Sequence, residues 1–286
     1  MSFVIVALVL TSAVMHPLWN LILKKNPDPQ LGYLFLTATM GLCGFAHGLI
    51  VGVDFSAALS VLPLIGASVC GQILYGTCLT ATLSRGDLSA YYPIIRSSPV
   101  FVVAVSILFF GKTYPLAVLV GIAMAVIGGF LLLYRRGTRI LDDRRSLGFA
   151  LLAMCGTGIY SLADAGTMQS IEPQVLLAYV EGTLVFYYGA LWLRKRSFAI
   201  ASAQMIQGFS WTHMVVPGIL AYSSYYLILI AYQLGGDVAA VTSMRQASIP
   251  ISVLLGGLFL REGAMLRRFC AAGLLALGIV VIALSG

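Results

Sequence analysis

The chain has 286 residues, of which 60% are apolar and 9% are charged, and its mean hydropathy is +0.97. Soluble domains carry about 25% charged residues, so this composition excludes a water-soluble globular protein. The net charge of +7 comes from cations in short segments between apolar runs, which is typical of a membrane protein and gives no basic stripe for nucleic acid. The five cysteines lie inside apolar runs without Cys-x-x-Cys spacing, so we expect no disulfide framework, zinc site or cofactor.

Ten apolar segments follow one another along the chain. Each has about the 20 residues that a membrane-spanning helix needs. Hydrocarbon offers no hydrogen-bond partner to the backbone, so spanning segments joined by short links must be helical. The first segment has no basic leader and is interpreted as a retained helix. The sequence therefore predicts an all-α membrane protein with ten transmembrane helices, at Phe3–Leu23, Leu31–Val53, Val61–Leu83, Leu88–Phe110, Tyr114–Tyr134, Leu147–Thr167, Val175–Leu193, Met214–Leu234, Val238–Leu260 and Ala264–Leu284.

The cations predict the orientation of these helices. Fourteen of the 17 Lys and Arg residues fall on the side of the membrane opposite both termini. Because cytoplasmic loops collect Lys and Arg, we expect a multi-pass protein of the cytoplasmic (inner) membrane with both termini outside. The loops predicted to be cytoplasmic are 24–30, 84–87, 135–146, 194–213 and 261–268.

The chain also contains an internal duplication. Residues 81–90 align with residues 231–240 at an offset of 150, which also brings Gly128 onto Gly278. Each half has an odd number of helices, so the second half is inverted relative to the first, as in many secondary transporters. The predicted domains are a first five-helix repeat over 1–134, a charged cytoplasmic linker over 135–146, and an inverted second repeat over 147–286.

Several sequence features resemble the EamA-type branch of the drug/metabolite transporter superfamily. They are His-x-x-Trp-Asn-x-x-x-Lys at 16–24, Gly-Asp-Leu-Ser-Ala-Tyr-Tyr-Pro-Ile-Ile-Arg-Ser-Ser-Pro at 86–99, and the turns Phe110-Gly-Lys and Leu260-Arg-Glu. The resemblance covers essentially the whole chain and implies a carrier of small organic solutes without its own ATPase. Many relatives keep their termini in the cytoplasm, whereas the charges of this chain predict the reverse.

Two arginines lie inside predicted helices. Arg96 and Arg245 occur in the fourth and ninth segments, about 12 Å and 10 Å deep from opposite faces of a core about 30 Å thick. A guanidinium group offers a planar fork for carboxylate or phosphate, so the pair predicts a site for a small anion. Two alternatives remain open: a structural ion pair with Asp164 or Glu181, and a role in a gate.

Asp164, Glu181 and His16 are the candidates for proton coupling. Removal from water favours the neutral form of a carboxyl group, so either acid could take up and release a proton during a transport cycle. Asp164 could equally reach water at the membrane interface, Glu181 could neutralise Arg245, and His16 could be a packed hydrogen-bonding residue.

Helical spacing brings further aromatic and amide side chains towards the two arginines. The tyrosines among them could also belong to interfacial belts or to packing. The predicted lining residues of the substrate site are Trp19, Asn20, Gln72, Tyr75, Tyr92, Tyr222 and Tyr225.

The leading functional hypothesis is a secondary active transporter of a small anionic or zwitterionic organic metabolite, working by alternating access and coupled to protons or to exchange. The alternative is an exporter of amphiphilic amines that uses Glu181 or Asp164 as its cation site. A membrane enzyme would need acid, base or metal groups clustered at one interface; the sequence has them scattered, so we expect no enzyme.

The expected partners are a small-molecule substrate and the lipid bilayer, with no nucleic acid. The glycines Gly44, Gly48 and Gly52 have the small-residue spacing that permits close helix contact, either within the chain or in a homodimer.

Overall fold

The computed structural model describes residues 1–23, 28–83, 88–133, 143–194, 210–251 and 265–285. Within these ranges the chain is helical and contains no β-strand. Short 3₁₀ turns at Phe55–Val61 and Arg245–Ala247 and a π-helical turn at Trp211–Val215 accompany the α-helices. These helices are α1 (Phe3–Leu23), α2 (Pro29–Val51), α3 (Leu62–Leu83), α4 (Leu88–Ile95), α5 (Ser98–Phe110), α6 (Leu116–Leu133), α7 (Arg144–Thr167), α8 (Pro173–Leu193), α9 (Val216–Gln233), α10 (Val238–Met244) and α11 (Met265–Ser285).

Eight helical segments in the described part of the chain are long and apolar enough to cross a membrane. This confirms the predicted all-α class and the expectation of a multi-pass membrane protein. The predicted first helix coincides with α1, and the other predicted bounds that the structure describes differ from the observed ones by at most three residues.

Some predictions lie outside the described residues. The predicted ninth helix is described only as far as Ile251, and the turn Leu260-Arg-Glu is not described. The same applies to 84–87 and to most of the predicted cytoplasmic linker 135–146 and loop 194–213, as well as to parts of 24–30 and 261–268.

Aspartate side chains cap the N-terminal ends of several helices. The carboxylate of Asp143 accepts hydrogen bonds from the backbone N–H groups of Arg145 and Ser146 at the start of α7. Such caps satisfy donors that have no partner within the helix. The other described caps of this kind are Asp28 before α2, Asp54 before the 3₁₀ turn and Asp237 before α10. Much of the small acidic content therefore has a structural role at helix ends.

The span predicted over Leu88–Phe110 is interrupted near its middle. The segment is divided into α4 and α5 by a turn at Arg96 and Ser97. Pro99 has no N–H to donate to the carbonyl of the preceding turn, so a continuous helix would lose a hydrogen bond here, whereas proline is tolerated in the first turn of α5.

The predicted ninth helix changes its conformation at the corresponding point. After α10, the chain forms the 3₁₀ turn Arg245–Ala247 and becomes helical again at 248–251. Pro250 follows within one turn and again removes a backbone donor. Both intramembrane arginines therefore lie where helical geometry is interrupted.

Four helix pairs make the most extensive contacts: α3 with α7, α6 with α11, α2 with α8, and α1 with α9. Glycines bring the backbones together in these pairs. A Cβ atom added to Gly128 of α6 would lie 2.8 Å from the carbonyl oxygen of Ala271, and one added to Gly278 of α11 would lie 2.6 Å from that of Gly121. Lipid tails are as apolar as the helices, so the hydrophobic effect does not drive helices together within the membrane. Close backbone contact instead provides the dispersion interactions that hold them together.

The glycine motif of α2 is used within the chain. Gly44 packs against the backbone of α8, where an added Cβ would lie 2.9 Å from the nitrogen of Ala178. Gly48 faces Phe55 and Val53, and Gly52 ends the helix with a left-handed φ of 77°. The motif therefore has a structural role that needs no second copy of the chain.

We expect Gly128→Ala to destabilise the protein by about 1–3 kcal/mol, because the new methyl group would meet the backbone of α11, which cannot move aside without separating the helices. Gly273→Ala in α11 is the matched control, since its Cβ would meet no atom within 4 Å. Thermal unfolding of both variants in detergent measures the difference. Equal Tm values would contradict the proposed importance of this contact.

Candidate functional site

A cavity lies between the two interrupted helices. It is lined by residues of α1, by both intramembrane arginines and by Ser248. Its volume of about 10 Å³ is room for about one water molecule. The lining residues are Ser12, Ala13, His16, Arg96, Arg245 and Ser248.

Arg96 reaches across from the first half of the chain to the second. Its Nη2 donates a hydrogen bond of 2.7 Å to Oγ of Ser248, and Ser248 also donates to the carbonyl of Arg245 over 2.9 Å. The Nε of Arg96 is buried and has no hydrogen-bond partner among the described residues. The guanidinium group thus keeps unused donor capacity beside the cavity.

Arg245 is held differently. Its guanidinium carbon lies 5.5 Å from the centre of the Tyr225 ring, which is the geometry of a cation–π interaction. The phenol groups of Tyr160 and Tyr232 also lie close to it. Neither arginine forms an ion pair with a described carboxylate, so the alternative of a direct ion pair with Asp164 or Glu181 is not observed within the described part of the chain.

Asp164 is completely buried near the end of α7. Its Oδ2 accepts a hydrogen bond from the hydroxyl group of Tyr225 in α9. Its Oδ1 has no hydrogen-bond partner among the described residues, and neither does the nearby hydroxyl group of Ser68 in α3. Tyr225 therefore contacts Asp164 through its hydroxyl group and Arg245 through its ring.

Glu181 is also buried, at 3% exposure, but it lies on α8, away from the residues that line the cavity. It makes no hydrogen bond or ion pair with another described residue. Its surroundings include the phenol groups of Tyr33 and Tyr188. The two intramembrane acids therefore occupy different environments.

The predicted face of α1 forms a small network. Nδ2 of Asn20 lies 3.1 Å from Nε2 of His16, and the rings of His16 and Trp19 meet edge to face at 4.9 Å between centroids. Of these three residues, His16 lines the cavity directly. Trp19 and Asn20 contact the imidazole ring of His16 and do not line the cavity themselves.

The remaining predicted residues fall into two groups. Tyr75 and Tyr225 each meet Tyr160 edge to face at 6.4 Å, which gives a row of aromatic rings leading to Arg245. Tyr92 lies close to Tyr75 and is half-buried, and Gln72 is half-buried without a hydrogen bond to a described residue.

Tyr222 belongs to a separate cluster that the sequence analysis did not identify. Its hydroxyl group lies 2.7 Å from Nδ1 of His47 in α2, and its ring stacks on Tyr226. Nε2 of Gln174 donates to the Tyr226 hydroxyl group over 3.3 Å. The chain has only three histidines, and this scarcity was the available signal for His47.

A charged contact joins two loops of different halves. Nζ of Lys112 lies 2.8 Å from Oδ2 of Asp237, and the hydroxyl group of Tyr114 donates to the same oxygen over 3.3 Å. Partial burial alone would lower the pKa of Lys112, but the hydrogen bond and charge of Asp237 outweigh burial and raise that pKa. The contact thus ties the loop after α5 to the loop after α9.

Among the described residues, no group of three or more His, Cys, Asp or Glu side chains could hold a metal ion. The charged groups that line the cavity are two guanidinium groups, which only donate hydrogen bonds, and they lie beside His16, Ser12 and Ser248. An arrangement of this kind favours a ligand that accepts hydrogen bonds and carries negative charge.

Comparisons with known proteins show the fold and no more. No family model and no curated protein matches the sequence. A solved structure, described only as the crystal structure of a protein, superposes with a TM-score of 0.73 over 98% of this chain and 97% of its own, at 18% sequence identity. The chain therefore shares its whole architecture with a protein whose sequence has diverged far from it.

Proposed function

We propose that the protein is a secondary active transporter of a small anionic or zwitterionic organic metabolite in the cytoplasmic membrane. The observation that carries the proposal is the pair Arg96 and Arg245, which come from two interrupted helices, line one cavity and form no ion pair with a described carboxylate. A cation held inside a membrane protein is costly unless a negative group compensates it. A bound anion would supply that charge.

The interruptions of the two helices support this assignment. In transporters, discontinuous helices place helix ends and free backbone groups at a site near the middle of the membrane. Here α4 ends at Ile95 and α5 begins at Ser98, so two helix ends meet beside the first arginine.

Helix packing supports the finer proposal of ten spans in two inverted repeats. The offset of 150 relates Gly121 to Ala271 and Gly128 to Gly278. When each residue is replaced by its counterpart in the other half, the contact of Gly121 with Gly278 becomes the contact of Ala271 with Gly128. Both contacts occur in the structure. A two-fold axis between α6 and α11 would produce this reciprocity.

The size of the cavity means that the proposed transport requires a conformational change. A space of about 10 Å³ is far too small for an organic metabolite, so the substrate could enter only after the halves move apart. We propose that the Lys112–Asp237 contact between loops of the two halves opens during this movement. An exposed ion pair of this kind is worth about 1 kcal/mol or less, so breaking it is inexpensive.

Thermal-shift measurements with inorganic phosphate, succinate and glutamate test the proposed ligand class. We expect at least one of these compounds to raise the Tm of the parent protein, because a ligand that binds only the folded state stabilises it. In Arg96→Ala and Arg245→Ala, the apparent affinity should fall about thirtyfold or more, because each variant loses a charged contact worth about 2 kcal/mol or more.

Arg194→Ala is the matched control, because Arg194 is an exposed cation at the end of α8 and outside the cavity. This variant should keep the full anion response. An anion response that survives in both cavity variants would contradict the proposal. Uptake of the stabilising anion into proteoliposomes should be lost in the same two variants.

A second candidate function is the export of amphiphilic amines. The observation that favours it is the buried carboxylate of Glu181, which forms no hydrogen bond with a described residue and has Tyr33 and Tyr188 nearby. A carboxylate among aromatic rings can bind an ammonium group through charge and cation–π contacts. Stabilisation by choline or putrescine but by none of the anions, abolished by Glu181→Gln, would favour this candidate over the first.

Cysteine labelling tests the proposed orientation. Ser285→Cys, at the exposed end of α11, should react with a membrane-impermeant maleimide in intact cells, because the positive-inside rule puts both termini outside. Arg144→Cys, at the exposed start of α7, should react only after the membrane is permeabilised. The parent chain corrects for its native cysteines, and the reverse labelling pattern would overturn the orientation.

A further inference from the structure

The buried carboxyl group of Asp164 has one well-formed hydrogen bond. Oδ2 accepts the hydrogen bond of the Tyr225 hydroxyl group, whereas Oδ1 is buried and the adjacent Ser68 hydroxyl group does not complete a well-formed bond to it. A buried charged carboxylate with a single well-formed hydrogen bond is unfavourable. A proton on Oδ1 would remove the charge and would leave the bond from Tyr225 in place.

Tyr225 connects this carboxyl group to the cavity. Its hydroxyl group contacts Asp164, and its ring lies under the guanidinium group of Arg245, which lines the cavity. Asp164 and Arg245 form no direct ion pair. The acid and the cation are therefore close enough to interact electrostatically, and each remains available to a separate ligand.

Few other charged or titratable groups face Asp164. The polar group that α3 contributes is the Ser68 hydroxyl, which does not titrate in this range. The titratable and charged neighbours are Tyr225 and Tyr232 of α9, Arg245 after α10 and, farther away, Glu181 of α8. Removal from water is the largest cost of a charge on Asp164, and Arg245 is the one cation in this set that offsets part of it.

We infer that Asp164 is the proton-binding residue of the anion site, and that Tyr225 and Arg245 link proton binding to anion binding. The inference rests on the proposed function. An anion bound to Arg245 neutralises the cation that compensates the Asp164 carboxylate, so Asp164 gains a proton more readily. By thermodynamic reciprocity, a protonated Asp164 leaves the field of Arg245 free to attract the anion. Anion and proton would therefore bind together.

Infrared spectroscopy of the protein in nanodiscs measures this protonation directly. The carbonyl stretching band of a protonated carboxylic acid is recorded as pH is varied, and the spectrum of Asp164→Asn is subtracted from that of the parent. We expect a titrating band in the difference spectrum. Glu181→Gln should keep this band, because Glu181 lies in a different environment. Absence of the band, or its loss in Glu181→Gln instead, would overturn the inference.

The role of Arg245 is tested by the midpoint of the same band. Arg245→Gln should move the midpoint to higher pH by about one unit or more, because a nearby cation favours the ionised carboxylate. Tyr225→Phe keeps the ring under Arg245 and removes the hydroxyl donor, so it should shift the midpoint in the same direction. Arg194→Gln should leave it unchanged. An unchanged midpoint in both test variants would mean that Asp164 is not linked to the arginine.

Sulfate separates this inference from the proposed function, because it carries charge without titrating near neutral pH. Sulfate should raise the midpoint of the parent and should leave that of Arg245→Gln unchanged. Suppose that the midpoint responds to Arg245→Gln but not to sulfate, and that phosphate, succinate and glutamate do not stabilise the protein. This result would contradict the anion site and would keep Asp164 as a proton site. A midpoint that responds to neither would overturn the link itself.

Discussion

The central constraint on this protein is the cost of holding cations among apolar helices. Arg96 and Arg245 lie at the interruptions of two helices and share a cavity. An ion pair with a carboxylate would be the simplest compensation, yet no described acid forms one with either guanidinium group, and Asp164 acts on Arg245 without direct contact. Hydroxyl groups and an aromatic ring provide weaker, neutral contacts instead. These contacts hold the arginines in place without neutralising them, which leaves their charge available to a ligand.

The interrupted helices and the arginines depend on each other. A continuous helix satisfies all its backbone groups within hydrocarbon, whereas a broken helix needs polar neighbours. Pro99 and Pro250 remove backbone donors close to the two breaks. Ser97 donates to the carbonyl of Pro93 over 2.8 Å and partly repairs the first break. Polar side chains at these points thus stabilise the backbone, and the irregular backbone gives the arginines a polar environment.

The sequence predicted the helices well and their contacts poorly. The bounds of α1 followed from apolar length, and the choice of the two arginines as candidate site residues followed from the rarity of charge in hydrocarbon. The bond from Arg96 to Ser248 did not follow, and Tyr222 packs on His47 and Tyr226 instead of lining the cavity. The reason is physical: lipid and protein interior are both apolar, so a helix that is hydrophobic all round does not reveal which face meets which neighbour.

The two halves differ where coupling requires a difference. A second, looser alignment of the proposed halves, at an offset of 141, relates the face of α1 that carries Trp19 and Leu23 to the face of α7 that carries Tyr160 and Asp164. Both halves thus supply an aromatic ring, but one alone supplies the acid. Two equivalent gates suit alternating access, because each side must open in turn. A single acid beside one arginine suits coupling, because one proton site can then bias a single anion site. In this proposal, the two related halves provide the conformational change, and Asp164, which has no acidic counterpart in the first half, provides the proton site.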